Sequence, residues 1–264
     1  RRFKKMSKDK KEFAEFKKKT QHPKEELLAI LTINPITVRV AYFIKKFNLG
    51  ISPTIITLSR LLFFAPLAIL SLFLAPILRE KIFYLIAPIC IYFMAFTDDL
   101  DGTLARGLKI KSNFGAFLDS ISDRAYTLIL IIFIFSVGMW INSIFLIYGA
   151  LLILTIKSFH LMIISKVFYY SPNLNVKTIF PDFFQRGNII MVNLNKILKI
   201  KRWCENFGGF ERIFLTVMLP SILFYLNFEF IVLIMVYVLA VFNLFFYISR
   251  IKKLLLEYRD ASKD

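Results

Sequence analysis

Long uncharged runs separated by short polar breaks set the layout of this chain. From Pro53 to Leu78 the only charge is Arg60, and a second apolar run covers Ile82 to Thr97. No charged residue occurs between Ala125 and Ile156. That stretch exceeds the ~20 residues of one bilayer crossing, so Gly138-Met139-Trp140-Ile141-Asn142 predicts a turn between a third helix and a fourth that runs to about Phe168. A fifth helix is predicted over Ile213–Leu226, opened by Glu211 and Arg212, and a sixth over Phe230–Ser249. The expected fold is all-α and integral to the membrane, with six transmembrane helices.

An N-terminal interfacial amphipathic helix is expected before the spans. Pro35–Phe47 sets Arg39, Lys45 and Lys46 among Tyr42, Phe43 and Phe47, a mixture that suits aromatics turned inward and cations turned to headgroups. Residues 1–33 are Lys-rich and read as a basic cytosolic segment, either a solvated helix or a mobile tail. Residues 34–256 form the membrane domain and 257–264 a cytosolic tail. Within the loop Tyr169–Gly209, Asn188–Trp203 has apolar residues at helical spacing and a basic face, which predicts a helix along the membrane surface.

Composition supports the membrane reading: 57% of the residues are hydrophobic, with 30 Phe and only 9 Gly. A net charge of +17 would suggest nucleic acid in a soluble protein. Here the cations flank apolar runs, so lipid headgroups are the expected partner and nucleic acid is not. Arg79 and Lys81 alone fall near the outer turns, while most Lys and Arg fall on the other side. This bias places both termini in the cytosol. Cys90 and Cys204 fall in a span and a cytosolic loop, an arrangement that argues against a disulfide. Arg1 in place of Met points to a natural start further upstream.

The chemistry concentrates in FTDDLDGTLARGLKIKSNFGAFLDSISDR. Asp98 and Asp101 are spaced i,i+3, Asp119 and Asp123 i,i+4, so each pair shares a helix face. Two helices joined by a short connection pack antiparallel, which brings the four acids together at the cytosolic edge. Four close carboxylates stay ionised only if cations neutralise them. Hard oxygen donors favour Mg²⁺ or Mn²⁺, and two such ions suit displacement at phosphorus. Gly102 and Gly115 leave room for a nucleotide against the backbone, and Arg106 suits a phosphate oxygen. Asp99 points to another face and reads as solvated or supporting a ligand.

The string Asp98-x₂-Asp101-Gly102-x₂-Ala105-Arg106-x₈-Gly115-x₃-Asp119-x₃-Asp123 resembles, without a gap, the signature of the CDP-alcohol phosphotransferases. The resemblance extends over roughly Pro35–Leu255, including Asn48–Pro53, Thr57 and Arg60 at the start of the first span. It implies transfer of a phosphoalcohol group from a CDP-linked donor to an acceptor alcohol, with release of CMP, in phospholipid or polar lipid synthesis. It implies that Asp98, Asp101, Asp119 and Asp123 bind two metal ions, with Asp123 also the general base. Asp98, Asp101, Gly102, Ala105, Arg106, Gly115 and Asp119 would line the CDP site. A homodimer in the cytoplasmic membrane of a prokaryote is the implied setting, with the active site cytosolic.

The acceptor site is open to several residues. Lys157 and His160 share a face of the fourth helix, and Glu211-Arg212 resembles a pair in sugar-phosphate-using relatives. Phe159 and Phe246 stand where those relatives carry Arg, which argues against an inositol phosphate. Lys157, Arg212, Arg124 and Arg60 are the candidate acceptor contacts, Arg60 being equally suited to snorkelling towards the membrane edge. The favoured substrates are CDP-diacylglycerol or an ether-lipid equivalent and a small anionic acceptor. The alternatives are a CDP-choline or CDP-ethanolamine donor with a diradylglycerol acceptor, and, in another class, a cation transporter using intramembrane acids.

Overall fold

A computed structural model describes residues 2–20, 32–110, 112–170 and 213–261. The expected surface helix Asn188–Trp203 and the pair Glu211-Arg212 lie outside these residues. Among the described residues every regular element is helical: α1 (Arg2–Thr20), α2 (Asn34–Lys46), α3 (Pro53–Leu78), α4 (Phe83–Leu108), α5 (Asn113–Trp140), α6 (Ile144–Tyr170), α7 (Phe214–Tyr225) and α8 (Glu229–Ala261). Helices α3 and α4 and the Phe117–Trp140 part of α5 are each long and apolar enough to cross a bilayer. Shorter apolar helical stretches occur at Ile144–Phe159, Phe214–Tyr225 and Glu229–Val241. The chain is therefore an all-α membrane protein.

Local sequence explains the boundaries. Ser52 caps α3 by accepting the Ile55 N–H, with Pro53 at the first helical position, where no N–H is needed. Ser112 caps α5 in the same way through the Gly115 N–H at 2.9 Å. The turn between α5 and α6 falls at the expected place, with Asn142 in the left-handed region at φ 56°. Gly138 permits the hairpin to close, because a Cβ there would stand 2.9 Å from Leu146 Cβ and 3.1 Å from the Ile147 nitrogen. Pro66 and Pro220 each lack an N–H, and one turn before each the backbone widens: Ala65 N–H bonds to Arg60 O, and Leu219 N–H to Phe214 O. These π-turns follow from the missing donors.

The main core lies between α3, α4, α5, α6, α7 and α8, with Leu72, Ile91, Met94, Phe133, Ile134, Leu146, Phe224 and Val236 among its buried side chains. Two polar groups inside it are paired: Tyr84 Oη and Ser136 Oγ are 2.8 Å apart, and Ser136 Oγ donates to Leu72 O, whereas Ser221 Oγ on α7 has no partner among the described residues. That network ties α3, α4 and α5 where no water could satisfy the groups.

A second, smaller core holds Phe16, Ala41, Ile44, Ile56, Leu100 and Leu104. It revises the expectation for the N-terminal segment. Helix α1 is not solvated all round: the Phe16 ring lies 2.4 Å from where a Cβ on Gly107 would stand, so only glycine admits the contact. Two cations of α2 also have partners on α1, Lys46 with Asp9 at 2.9 Å and Lys45 over the Phe16 ring. Arg39, Lys45 and Lys46 nevertheless stay exposed, as do Phe43 and Phe47.

Candidate metal centre and its surroundings

Helices α3, α4 and α5 converge at the end of the bundle where α4 finishes and α5 begins. Asp98 and Asp101 come from the second half of α4 and Asp119 from the second turn of α5. One carboxylate oxygen from each lies within 4.8 Å of the other two. Asp123 follows one turn beyond Asp119 on α5; its side chain lies outside the described set. The acids occupy one end of the bundle and not its middle, as a continuous ion path would require.

Arg60 is the unexpected member. Its side chain is 0% exposed and inserts among the acids: Nη1 donates to Asp98 Oδ1, and Nη2 stands 3.0 Å from Asp119 Oδ1 and 3.7 Å from Asp101 Oδ2. Snorkelling towards the membrane edge is not what it does. The π-turn that begins at Arg60 gives part of the reason, because the widened backbone resets the direction of the side chains around it.

Two hydroxyls complete the support. Thr57 on α3 donates to Asp101 Oδ2 at 2.6 Å. Thr37 on α2, fully buried, donates to Asp99 Oδ2. Asp99, half-buried, thus has a partner on α2. Thr37 was not singled out from sequence, although it begins the α2 stripe Thr37, Ala41, Ile44 at spacing i, i+4, i+7, which marks the buried face.

The residues expected to line a nucleotide site lie just beyond the acids. A Cβ on Gly102 would meet Arg106 Nη1 at 3.1 Å, so the glycine leaves the space its own guanidinium neighbour uses. Arg106 Nε donates to the carbonyl of Thr20 at the end of α1, and Nη2 to Thr103 Oγ1 at 3.2 Å. Ala105 is half-buried one position before it, and Gly115 lies in the first turn of α5. Lys157 is half-buried on α6 and Arg124 exposed on α5. Phe159 is exposed on α6, and nothing is described of the side chains of His160 and Phe246. Cys90 is free and buried.

The donor set fits a hard divalent cation. Among the described residues three carboxylates face one another against a single guanidinium, an excess of negative charge, and all donors are oxygen. Arg60 Nε is buried without a hydrogen-bond partner among the described residues, as are Ser122 Oγ on α5, Tyr42 Oη and Ser221 Oγ.

Fold and site together define a membrane-embedded helical protein with an oxygen-donor centre at one end of its bundle. Comparison with known proteins narrows this class. A family model described as CDP-alcohol phosphatidyltransferase matches residues 50–242, and the chain belongs to that family. An uncharacterized protein of Aquifex aeolicus (strain VF5) is 39% identical over 82 residues, which is 31% of this chain and 37% of that relative. No solved structure matches the chain significantly.

Proposed function

We propose that the protein is a metal-dependent transferase. It moves a phosphoalcohol group from a CDP-alcohol to an acceptor hydroxyl and releases CMP, in phospholipid or polar lipid synthesis. The observation that carries this reading is the convergence of Asp98, Asp101 and Asp119 within the segment matched by the family.

Asp98, Asp101, Asp119 and Asp123 would hold two Mg²⁺ or Mn²⁺ ions, which when bound supply charge neutralisation at the phosphates. Asp123 takes the proton of the acceptor hydroxyl as its oxygen bonds to the β-phosphorus and the bond to the CMP oxygen breaks. Arg106 binds a phosphate oxygen of the donor, and Gly102, Ala105 and Gly115 leave room for the nucleotide. A general base of this kind contributes ~10²–10⁴-fold.

The donor we favour is CDP-diacylglycerol or an ether-lipid equivalent, and the acceptor a small anionic alcohol. Support comes from Lys157, a cation half-buried on α6, whose desolvation an anionic partner would offset. Arg124 and Arg212 would join it; Arg60 is better accounted for by the carboxylates. The Lys and Arg bias supports a cytosolic active site and cytosolic termini in a prokaryotic membrane, and the family resemblance supports a homodimer.

The test uses purified protein in lipid nanodiscs with CDP-diacylglycerol, a panel of alcohols and Mg²⁺ or Mn²⁺, with CMP as readout. CMP release is expected to vanish on chelation, and Asp123→Asn to lower turnover ~10²–10⁴-fold while donor binding persists. Turnover that survives chelation rules out the metal role. CMP formed only from CDP-choline or CDP-ethanolamine reverses the lipid and headgroup assignment.

A further inference from the structure

We infer that Thr37 is a positioning residue, which sets the rotation of the metal-binding helix α4 by holding Asp99 and so makes the interfacial helix α2 part of the active site. The inference rests on the metal-dependent reading above. Each of the three acids at this end of α4 is held by its own partner from a neighbouring helix: Asp98 by Arg60, Asp99 by Thr37 and Asp101 by Thr57. At ~100° per residue, Asp99 stands ~100° from Asp98 and ~160° from Asp101 around the helix axis. Arg60 and Thr57 both pull from α3, on one side of α4. Thr37 pulls on the opposite side, so the three contacts together fix the helix against rotation.

The leverage is large enough to matter. A carboxylate oxygen stands ~5–6 Å from the axis, given a Cα radius of ~2.3 Å, so a turn of ~15° moves it ~1.5 Å. Catalytic groups tolerate ~0.5 Å, and an error of ~1 Å can cost ~100-fold in rate. Thr37 is suited to the task because it is fully buried, with no water to replace the contact. Its hydroxyl also lies 3.2 Å from Asn34 O, within its own helix, so the hydroxyl rotor is confined to these two acceptors.

The experiment compares Thr37→Val, Thr37→Ser and Asp99→Asn in nanodiscs, reading Mn²⁺ affinity by EPR titration, CMP turnover and thermal stability. Thr37→Val keeps the shape and removes the donor. It is expected to weaken Mn²⁺ binding by about tenfold or more and to lower turnover by a similar or larger factor, with little change in melting temperature. Thr37→Ser keeps the donor and Asp99→Asn keeps an acceptor oxygen, so both are expected to stay within about threefold of the parent protein. Wild-type Mn²⁺ affinity in Thr37→Val overturns the inference, as does a Thr37→Ser variant as impaired as Thr37→Val. If the parent protein binds Mn²⁺ but releases no CMP from any CDP-alcohol, the transferase reading fails and Mn²⁺ affinity alone decides the role of Thr37. If the parent protein binds no Mn²⁺, both readings fall.

Discussion

At the end of the bundle away from the acids, three helix hairpins are tied together by matched charges. Lys81 donates to Asn227 Oδ1 at 2.6 Å and to Glu229 Oε1, and its ammonium lies 5.9 Å from the Trp140 ring and 5.7 Å from the Phe224 ring. Arg79 donates to Trp140 O at 2.6 Å. Each turn there contains a residue in the left-handed region: Arg79, Asn142 and Asn227. At the acid end, by contrast, one buried guanidinium faces three carboxylates. One end closes on itself, Lys81 on Glu229 and Arg79 on a backbone carbonyl, and the other, among the described residues, keeps a surplus of negative charge. A structural lock needs electrical balance, whereas a binding site for cations needs a deficit that the protein alone does not fill.

The sharpest way to break this contrast is Arg60→Met. Arg60 is buried but Asp98 and Asp119 are 43% and 52% exposed, so its removal should cost towards the lower end of the ~3–5 kcal/mol of a buried pair, and it leaves three carboxylates facing one another. The melting temperature should fall most in chelator and recover substantially in Mg²⁺ or Mn²⁺, because a divalent cation restores the missing charge. An equal loss with and without metal would remove the claim that the acid end is built for an added cation. Gly138→Val should act at the opposite end through overpacking against Leu146 and Ile147, at a cost of ~1–3 kcal/mol. Mn²⁺ affinity measured on the folded fraction should be unchanged. The smallest effect is expected from Lys81→Met, about 1 kcal/mol in thermal unfolding, since that pair is partly exposed. CMP release by this variant should match the parent protein; a clear loss would mean that the two ends are mechanically coupled.

The contrast also shows where sequence reading succeeds. The uncharged runs predicted α3 and α4 closely, and Gly138–Asn142 marked the α5–α6 turn that the structure contains. Asp98, Asp101 and Asp119 do converge, but not by the expected packing of α4 on α5: the backbones of those two helices stand apart, and α3, packed closely on both, brings the acids together around Arg60. Signals were also present for features that sequence reasoning passed over. Pro66, by lacking an N–H, forces the wide turn that begins at Arg60, and Gly107 could have pointed to the close approach of Phe16.

Other features had no local signal. Pro66 accounts for the wide turn at Arg60, but nothing local specifies that its side chain meets carboxylates 38 and 59 residues away. The same holds for Thr37 with Asp99, 62 residues apart, and Thr57 with Asp101, 44 residues apart. Helix existence and length follow from hydropathy over ~20 residues and from caps, all of which are local. Which side chains meet depends on how each helix is rotated and how closely it approaches its neighbours, and only packing of the whole bundle sets those quantities. The sequence by itself determined a helical membrane protein with an acidic motif; the tertiary structure decided that a buried arginine and two threonines from α2 and α3 hold that motif in place.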